Sequence, residues 1–342
     1  MIDFADVVCG LAWGDEGKGK ITAHLAKSGQ YDYVCRWAGG SNAGHTIYVN
    51  NTKYKTHIVP AGVFYGINSV IGPGCVLHEE SFYAELHTLQ QWGFDTSVVK
   101  VSPRAHIVTN VHKSEDRGNF SKKLGTTSSG IGPAYSDKAK RKGVRAGEAL
   151  PMRYLWDENF NNSNGKKPRI LCEGAQGVWL DLDWGNYPYV TSSNTFPYAA
   201  CSLGFPTSKI RNIWGAIKIY DTRSGTDPEF PETLNNDADL SRIQEIGNEF
   251  GVTTGRKRKV NWLDLDRLVR AINMTGTSDL VISKCDILEE AGVFKINRSA
   301  LNFKESIQFD SMENMKCFLK DFLLENCPSL KKIYFSSSPY EI

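Results

Sequence analysis

The 342 residues can form two average domains or one large α/β domain, and in either case they can bury a substantial core. Hydrophobic residues make up 41% of the chain and charged residues 23%, which excludes disordered, collagen-like and disulfide-scaffold proteins. The formal charge of +2, from 40 basic and 38 acidic residues, is too small to recruit nucleic acid or an anionic membrane. Any anion site must therefore come from a local cluster.

The eight cysteines are scattered, without a C-x-x-C pair or clustered histidine partners. This usage favours reduced, mostly buried thiols over a disulfide framework or a zinc site. Residues 1–6 include acidic side chains where a signal peptide carries positive charge, and no apolar run approaches the roughly eighteen residues of a membrane span. We therefore expect a cytoplasmic protein with no membrane or nucleic-acid partner.

Short apolar runs with helical patterns between them recur along the chain. The runs predicted as strands are 7–9, 69–71, 169–173, 214–219, 279–283 and 333–335, and the predicted helices include 21–27, 79–92 and 311–326. The expected buried stripe of the last helix is Met315, Phe318, Leu319 and Phe322. Such a pattern predicts one large α/β domain over residues 1–342, with a mostly parallel central sheet flanked by helices. Ligands are expected at the carboxyl ends of its strands.

The first strand runs into a glycine-rich loop, residues 10–20 (GLAWGDEGKGK), which precedes a helix. Glycines let backbone N–H groups close around phosphate oxygens, the helix N-terminus adds the positive end of its dipole, and Lys18 can neutralise phosphate charge. A strict Walker A motif requires glycine where Ala12 stands and serine or threonine where Gly19 stands. The loop is therefore a P-loop variant; read alone, it could also be a glycine-rich turn without a ligand.

Six ordered segments together resemble the adenylosuccinate synthetase family. They are residues 13–20 (WGDEGKGK), 39–46 (GGSNAGHT), 125–127 (GTT) with 130–135 (GIGPAY), 173–177 (EGAQG), 187–195 (YPYVTSSNT) and 247–256 (GNEFGVTTGR). The resemblance implies a P-loop-NTPase-like fold and a ligase that converts IMP, L-aspartate and GTP into adenylosuccinate, GDP and phosphate through a 6-phosphoryl purine. The chain is shorter than the commonest members and is similar to compact archaeal and viral forms.

The purine 6-oxygen is a poor leaving group, so it must first become a phosphate ester, and that step requires a base and an acid. By resemblance, Asp15 takes the proton from purine N1 and His45 stabilises or protonates the transferring group. Lys18 and Gln176 complete the catalytic set. A histidine suits this task because it can carry charge near neutrality, although a lone histidine is more often a hydrogen-bonded loop residue.

Phosphoryl transfer also needs a divalent metal, and Mg²⁺ takes few protein ligands. The resemblance implies Mg²⁺ held by the Asp15 carboxylate and the Gly44 carbonyl. It assigns the nucleoside triphosphate to Gly14, Glu16, Gly17, Lys18, Gly19, Lys284, Asp286, Ser336 and Ser338. A carboxylate at Asp286 can accept both donors of the guanine edge, which adenine lacks; without the resemblance, this pattern is more often a salt-bridged turn.

The amine substrate carries two carboxylates, which calls for planar, bidentate recognition by arginine. Residues 256–259 form a basic run, which in isolation is more often a solvated face. The resemblance assigns Thr253, Thr254, Arg256 and Arg258 to aspartate. It assigns the purine monophosphate to Asp15, Asn42, Thr127, Arg141, Gln176 and Thr191. It alone implies a homodimer, in which Arg141 acts across the interface.

Local departures from the family pattern leave the acceptor open between IMP and dGMP. Ser41 stands where the family has histidine, Ser128 and Ser129 replace a Gly-Arg pair, and residues 222–227 (TRSGTD) differ from the Val-Gly-Ala-Gly pattern that touches the ribose. Some compact viral relatives combine dGMP with aspartate, using ATP, dATP or GTP, to form N6-succino-2-amino-2'-deoxyadenylate. We favour IMP, because Asp15 stands where that viral branch has a smaller residue.

Two hypotheses from other classes compete with the ligase. A P-loop GTPase switch would need switch loops but no aspartate site, so residues 253–258 speak against it. A pseudo-enzyme kept as a binding protein is disfavoured because Asp15, Lys18, His45 and Gln176 are all intact.

Overall fold

Eight parallel strands form the central sheet. In spatial order they are β16 (Lys332–Phe335), β13 (Asp279–Ser283), β10 (Ile210–Lys218), β1 (Ala5–Gly10), β9 (Ile170–Glu173), β2 (Tyr33–Arg36), β5 (Asn68–Ile71) and β7 (Val99–Val101). All seven neighbouring pairs are parallel. This computed structural model describes residues 1–120, 124–161, 164–231, 234, 236–251, 255–299 and 305–342.

Smaller sheets flank the central one. A four-stranded sheet has the order β11 (Tyr220–Arg223), β12 (Lys259–Asp264), β14 (Phe294–Arg298) and β15 (Glu305–Phe309). A hairpin is formed by β3 (His45–Val49) and β4 (Thr52–Thr56), and β6 (Val76–Leu77) pairs with β8 (His106–Ile107). The hairpin places His45 at its base, next to the first loop.

Helices cover both faces of the central sheet. They are α1 (Lys18–Lys27), α2 (Glu79–Gln91), α3 (Asn110–Glu115), α4 (Ile131–Ala139), α5 (Ala146–Ala149), α6 (Ala238–Ile246), α7 (Leu265–Thr275), α8 (Cys285–Ala291) and α9 (Met312–Asn326). On β1, Val8 packs in a core cluster with residues of α1, whereas its neighbour Cys9 packs in a cluster with residues of α6 to α9. Because adjacent strand residues point to opposite faces, both faces of the strand are buried.

The predicted fold class is confirmed, and each predicted strand is present. The strand predicted at 214–219 is longer, because β10 begins at Ile210 and ends at Lys218. The stripe predicted for α9 needs correction: its buried residues are Met312, Met315, Leu319 and Leu323. Phe318 and Phe322 are only partly buried: they pack against the edge of the core, and their rings stack on each other with centroids 5.7 Å apart.

The cysteines behave as expected of structural thiols. All eight lie among the described residues and are free; six are buried, Cys201 is partly exposed and Cys317 is exposed. Burial raises the pKa of Cys9 and of Cys285 to about 12, so both stay protonated. Within the described ranges, no helix is long and apolar enough to cross a membrane.

Candidate active site

A cavity of about 840 Å³ opens at the carboxyl ends of the central strands. Lys218 ends β10 and Ser283 ends β13, and both line the cavity together with the loop after β1. Its volume is in the range of about 300–1,000 Å³ that holds small molecules in proteins. Its position agrees with the expectation that ligands of a parallel sheet bind at this edge.

The first loop turns sharply by means of left-handed backbone. Gly14 and Gly17 have φ of 87° and 93°, and Asp15 between them has φ of 61°. Glycine adopts this conformation freely, but for aspartate it costs about 1–3 kcal/mol and persists only where the surroundings impose it. The side chain of Asp15 consequently faces the cavity, where it is 29% exposed.

Glu16 braces the same loop from inside. Its buried carboxylate accepts hydrogen bonds from the backbone N–H groups of Ala12 (3.2 Å) and Gly14 (2.8 Å), and it pairs with Lys18 Nζ at 2.5 Å. A Cβ on Gly177 would lie 2.3 Å from a Glu16 oxygen, so the position requires glycine. The carboxylate therefore supports the loop and holds Lys18 at the cavity wall.

His45 reaches the cavity with its imidazole held from behind. Its Nδ1 is hydrogen-bonded to Oε1 of Glu173, whose Oε2 accepts the backbone N–H of Ala61 at 2.8 Å. Burial opposes ionisation of Glu173, but the nearby His45 and the cation Arg36 outweigh it, and the pKa of this carboxyl is lowered. An ionised Glu173 fixes the ring and leaves Nε2 for a ligand in the cavity.

A chain of charges connects the first loop with the segment after α6. Arg258 Nε donates to Oδ2 of Asp15 at 2.8 Å, and its Nη1 donates to Oε2 of Glu249 at 2.6 Å. Lys218 Nζ donates to the same Glu249 oxygen at 2.8 Å. Burial alone would raise the pKa of Glu249, but the charges of Lys218, Arg258 and Lys284 lower it to about 2.

The other end of the cavity lies between α1, α8 and the C-terminal segment. Lys20 Nζ donates to Ser336 Oγ at 2.6 Å and to the carbonyl of Ser338 at 2.8 Å. Burial lowers the pKa of Lys20 to about 8, although the Asp286 carboxylate opposes the shift. Lys284, with φ of 68°, directs its Nζ to the Gly247 carbonyl at 2.9 Å. This end offers a carboxylate and cations to the same ligand.

The structure brings most of the predicted site residues together. Those that line the cavity are Gly14, Asp15, Glu16, Gly17, Lys18, Gly19, Asn42, Gly44, His45, Thr127, Gln176, Thr191, Arg256, Arg258, Lys284, Asp286 and Ser338. Of the described residues, Ser336 lies behind the wall, bonded to Lys20, and Arg141 is exposed outside the cavity. Thr253 and Thr254 lie outside the described residues.

Gln176 carries an oxygen that suits a ligand. It follows β9 with φ of 55°, and its Oε1 is buried with no hydrogen-bond partner in the described structure. A buried acceptor without a partner costs about 1–3 kcal/mol, which a ligand donor in the cavity would recover.

The metal predicted from the resemblance fits the groups at this wall. The Asp15 carboxylate and Gly44 both line the cavity, and across the described chain no cluster of three or more His, Cys, Asp or Glu side chains could hold a metal. One carboxylate and one carbonyl are a sparse set of hard oxygen donors, which suits Mg²⁺ because it keeps waters and phosphate oxygens as its other ligands.

Sequence reasoning missed four charged residues that organise the site: Lys20, Glu173, Lys218 and Glu249. Three of them stand inside recognised segments, and Lys218 lies within the strand predicted at 214–219. The sequence feature that could have identified them is a charged residue within an otherwise apolar or glycine-rich run. Their partners, however, are far away in the chain, as in the pair of His45 with Glu173.

Comparison with known proteins identifies the family. The adenylosuccinate synthetase family model matches residues 7–163 and 152–314. The adenylosuccinate synthetase of Exiguobacterium sp. is 37% identical in a match that covers 85% of this chain and 79% of the relative. The chain belongs to the adenylosuccinate synthetase family. The Saccharomyces cerevisiae enzyme (strain YJM789) is 39% identical in a match that covers 83% of this chain and 78% of the relative.

Solved structures agree with this membership. The fully ligated adenylosuccinate synthetase from Plasmodium falciparum superposes with a TM-score of 0.83 at 28% identity, covering 98% of each chain. The cyanophage S-2L succinoaminodeoxyadenylate synthetase, bound to dGMP and dATP, superposes with a TM-score of 0.74 at 20% identity, covering 99% of this chain and 94% of the other. The second likeness shows the shared fold alone. As a member of the adenylosuccinate synthetase family, the protein is a nucleotide-dependent ligase that forms a C–N bond.

Proposed function

We propose that the cavity converts IMP, L-aspartate and GTP into adenylosuccinate, GDP and phosphate through a 6-phosphoryl purine. The observation that carries the proposal is the meeting of three groups in one cavity: the Asp15 carboxylate, the His45 imidazole and the Arg258 guanidinium. A base, a proton-carrying ring and a planar cation are what the two chemical steps require. Membership of the adenylosuccinate synthetase family supports the same reaction.

In the first step, Asp15 takes the N1 proton of the purine, and O6 attacks the γ-phosphorus. The bond from that phosphorus to the bridging oxygen breaks, and the diphosphate leaves with its electron pair. His45, held by Glu173, stabilises the transferring group, and Lys18 balances charge on the phosphates. Bound Mg²⁺ would neutralise phosphate charge, and Asp15 and Gly44 are the residues that would hold it.

In the second step, the amine of aspartate attacks C6, the C6–O6 bond breaks, and phosphate leaves with the former O6 and the electron pair. The nitrogen then loses one proton, which the departing phosphate can accept. Arg256 and Arg258 hold the two carboxylates, and Thr253 and Thr254 complete that subsite in our proposal. Arg256 Nη1 also donates to the Gly125 carbonyl at 2.8 Å, which ties the aspartate side of the cavity to the 125–135 segment. The attacking amine can thereby be kept beside the purine.

The two nucleotides occupy opposite ends of the cavity in this proposal. The purine monophosphate binds to Asp15, Asn42, Thr127, Gln176 and Thr191, where the Gln176 oxygen is available to a donor. The triphosphate binds along Gly14, Glu16, Gly17, Lys18 and Gly19, with its base at Lys284, Asp286 and Ser338. Ser336 contributes through Lys20, because its Oγ accepts a hydrogen bond from Lys20 Nζ.

We further propose a homodimer in the cytoplasm. Arg141 is exposed, and it is not one of the described residues that line the cavity of its own chain. If it contacts a purine monophosphate, that ligand must therefore be bound to a second subunit. Its φ of 63° turns the chain two residues after α4 ends. Size-exclusion chromatography with light scattering, at several protein concentrations, tests the dimer.

The reaction is tested by incubating the protein with Mg²⁺, aspartate, GTP or ATP, and either IMP or dGMP. We expect phosphate and adenylosuccinate from IMP with GTP. If a succinyl product forms with dGMP but not with IMP, the acceptor is the viral-type substrate dGMP. Phosphate release that does not depend on aspartate, without a succinyl product, would instead favour a GTPase switch.

A further inference from the structure

Glu249 gathers three cations around one buried carboxylate. Its Oε2 accepts from Arg258 Nη1 at 2.6 Å and from Lys218 Nζ at 2.8 Å. Its Oε1 accepts from the Tyr220 hydroxyl at 2.7 Å and lies 4.0 Å from Lys284 Nζ. The Glu249 side chain is 0% exposed. One carboxylate therefore satisfies several buried donors at once.

The three cations come from separate parts of the fold. Lys218 ends β10, Arg258 immediately precedes β12, and Lys284 lies between β13 and α8. All three line the active-site cavity, whereas Glu249 stands behind the described wall with no exposed surface. Glu249 therefore reaches a substrate only through the cations that it holds.

The geometry of Arg258 shows what this carboxylate fixes. Asp15 accepts from Nε and Glu249 accepts from Nη1, so the guanidinium is anchored on two sides. Further N–H donors of the planar group remain for a ligand carboxylate. Without the Glu249 anchor, Arg258 would keep only its contact with Asp15 and could rotate about it, and Lys218 would face Arg258 without a negative charge between them.

We propose that Glu249 is a positioning residue that aims Arg258 at the carboxylate of the amino-acid substrate and holds the same guanidinium against Asp15. This inference rests on the proposed assignment of Arg258 to aspartate. Glu249 takes no proton and touches no substrate. It makes the amino-acid subsite and the carboxylate that faces the purine one rigid unit.

The test is steady-state kinetics of Glu249→Gln, which keeps the size and removes the charge. We expect the KM for aspartate to rise about tenfold or more, as for a lost charge-assisted contact, while the KM for IMP changes less than about threefold. Tyr220→Phe is the matched control, because it removes the bond to Oε1 and leaves both cation contacts on Oε2. Its KM for aspartate should change less than about twofold.

Glu249→Asp keeps the charge but withdraws it by one methylene, so we expect a smaller rise in the KM for aspartate. This variant keeps the test decisive if Glu249→Gln does not fold, which thermal unfolding would reveal. Equal rises in the KM values for aspartate and IMP would indicate a merely structural role and overturn the inference.

A double-mutant cycle separates this inference from the proposed function. Because Glu249 acts through Arg258, the effect of Glu249→Gln on the KM for aspartate should disappear in an Arg258→Leu background. An unchanged KM for aspartate in Arg258→Leu alone would remove the assignment of Arg258 to aspartate. A raised value in Arg258→Leu together with an unchanged value in Glu249→Gln would overturn only the role of Glu249.

Discussion

Asp15 and Arg258 form an ion pair across the candidate active site, with Arg258 Nε 2.8 Å from Asp15 Oδ2. The two residues are 243 positions apart in the chain and are proposed to serve different substrates. Their contact joins the purine subsite to the amino-acid subsite. Substitutions at each position therefore separate the roles of the two side chains.

Asp15→Ala should abolish formation of adenylosuccinate, because it removes the base that takes the purine proton. Loss of a general base typically costs about 10²- to 10⁴-fold in rate. The donor nucleotide should still bind, since the phosphate loop keeps its brace at Glu16. Product assays and titration with a non-hydrolysable GTP analogue measure the two effects.

Asp15→Asn is the matched control for this change. Its amide oxygen can still accept from Arg258, but it cannot take a proton at neutral pH. It should therefore be as inactive as Asp15→Ala while keeping the KM for aspartate closer to that of the wild type. Substantial turnover by either variant would refute Asp15 as the base.

Arg258→Leu should weaken aspartate binding, raising its KM at least about tenfold, with little effect on the KM for IMP. A planar guanidinium is replaced by a side chain that cannot donate to a carboxylate. Arg258→Lys keeps the charge but loses the planar, bidentate guanidinium. Its KM for aspartate should therefore lie between those of the wild type and Arg258→Leu. If all three proteins shared one KM for aspartate, Arg258 would have no part in that subsite.

Glu173→Gln should lower kcat by about ten- to hundredfold, because a ring that is no longer held firmly is misplaced for the transferring phosphate. The amide oxygen or nitrogen can still meet Nδ1 of His45, so the fold should persist. The KM values for IMP and GTP should change little. A kcat equal to that of the wild type would show that His45 does not depend on this carboxylate.

The stability of the fold should depend on pH through Asp221, a residue outside the cavity. It is buried and accepts the backbone N–H of Asp264 at 3.1 Å, and its burial raises its pKa from 3.8 to about 8. Between about pH 4 and pH 8, Asp221 therefore keeps a proton in the folded state that it has lost in the unfolded state. The contribution of Asp221 to stability is full below about pH 4 and is lost as the pH rises towards 8.

Unfolding of the wild type and of Asp221→Asn across pH 4–8 tests this sign. The free energy of unfolding of the wild type, relative to the variant, should fall with rising pH by up to about 1.4 kcal/mol per pH unit. Asparagine keeps the oxygen that accepts from Asp264 but does not titrate. A difference that is constant across this range, or that rises with pH, would contradict a protonated Asp221.

The sequence was sufficient to predict the fold class because apolar runs alternate with helical periodicity. It did not predict β2, because this four-residue strand ends in Arg36, and a charged residue is not expected inside a buried strand. The stripe of α9 was misplaced because apolar residues such as Phe318 also cover its flank, so spacing alone left the centre of the stripe open.

For the site, the motifs predicted which residues meet at the cavity but not how they are held. Glu249 is in a recognised segment, yet its partner Lys218 lies 31 positions away, and only the folded sheet brings them together. The left-handed backbone conformation of Asp15 could not be predicted from the sequence either, because residue spacing gives no signal for strain that tertiary contacts impose.

The proposed route through a phosphorylated purine oxygen is tested most directly by isotope transfer. IMP labelled with ¹⁸O at position 6 is incubated with the protein, Mg²⁺, GTP and aspartate, and the released phosphate is examined by mass spectrometry. We predict one ¹⁸O atom in the phosphate for each adenylosuccinate formed, and neither product with Asp15→Ala. Unlabelled phosphate accompanying adenylosuccinate would contradict the transfer of a phosphoryl group to the purine oxygen.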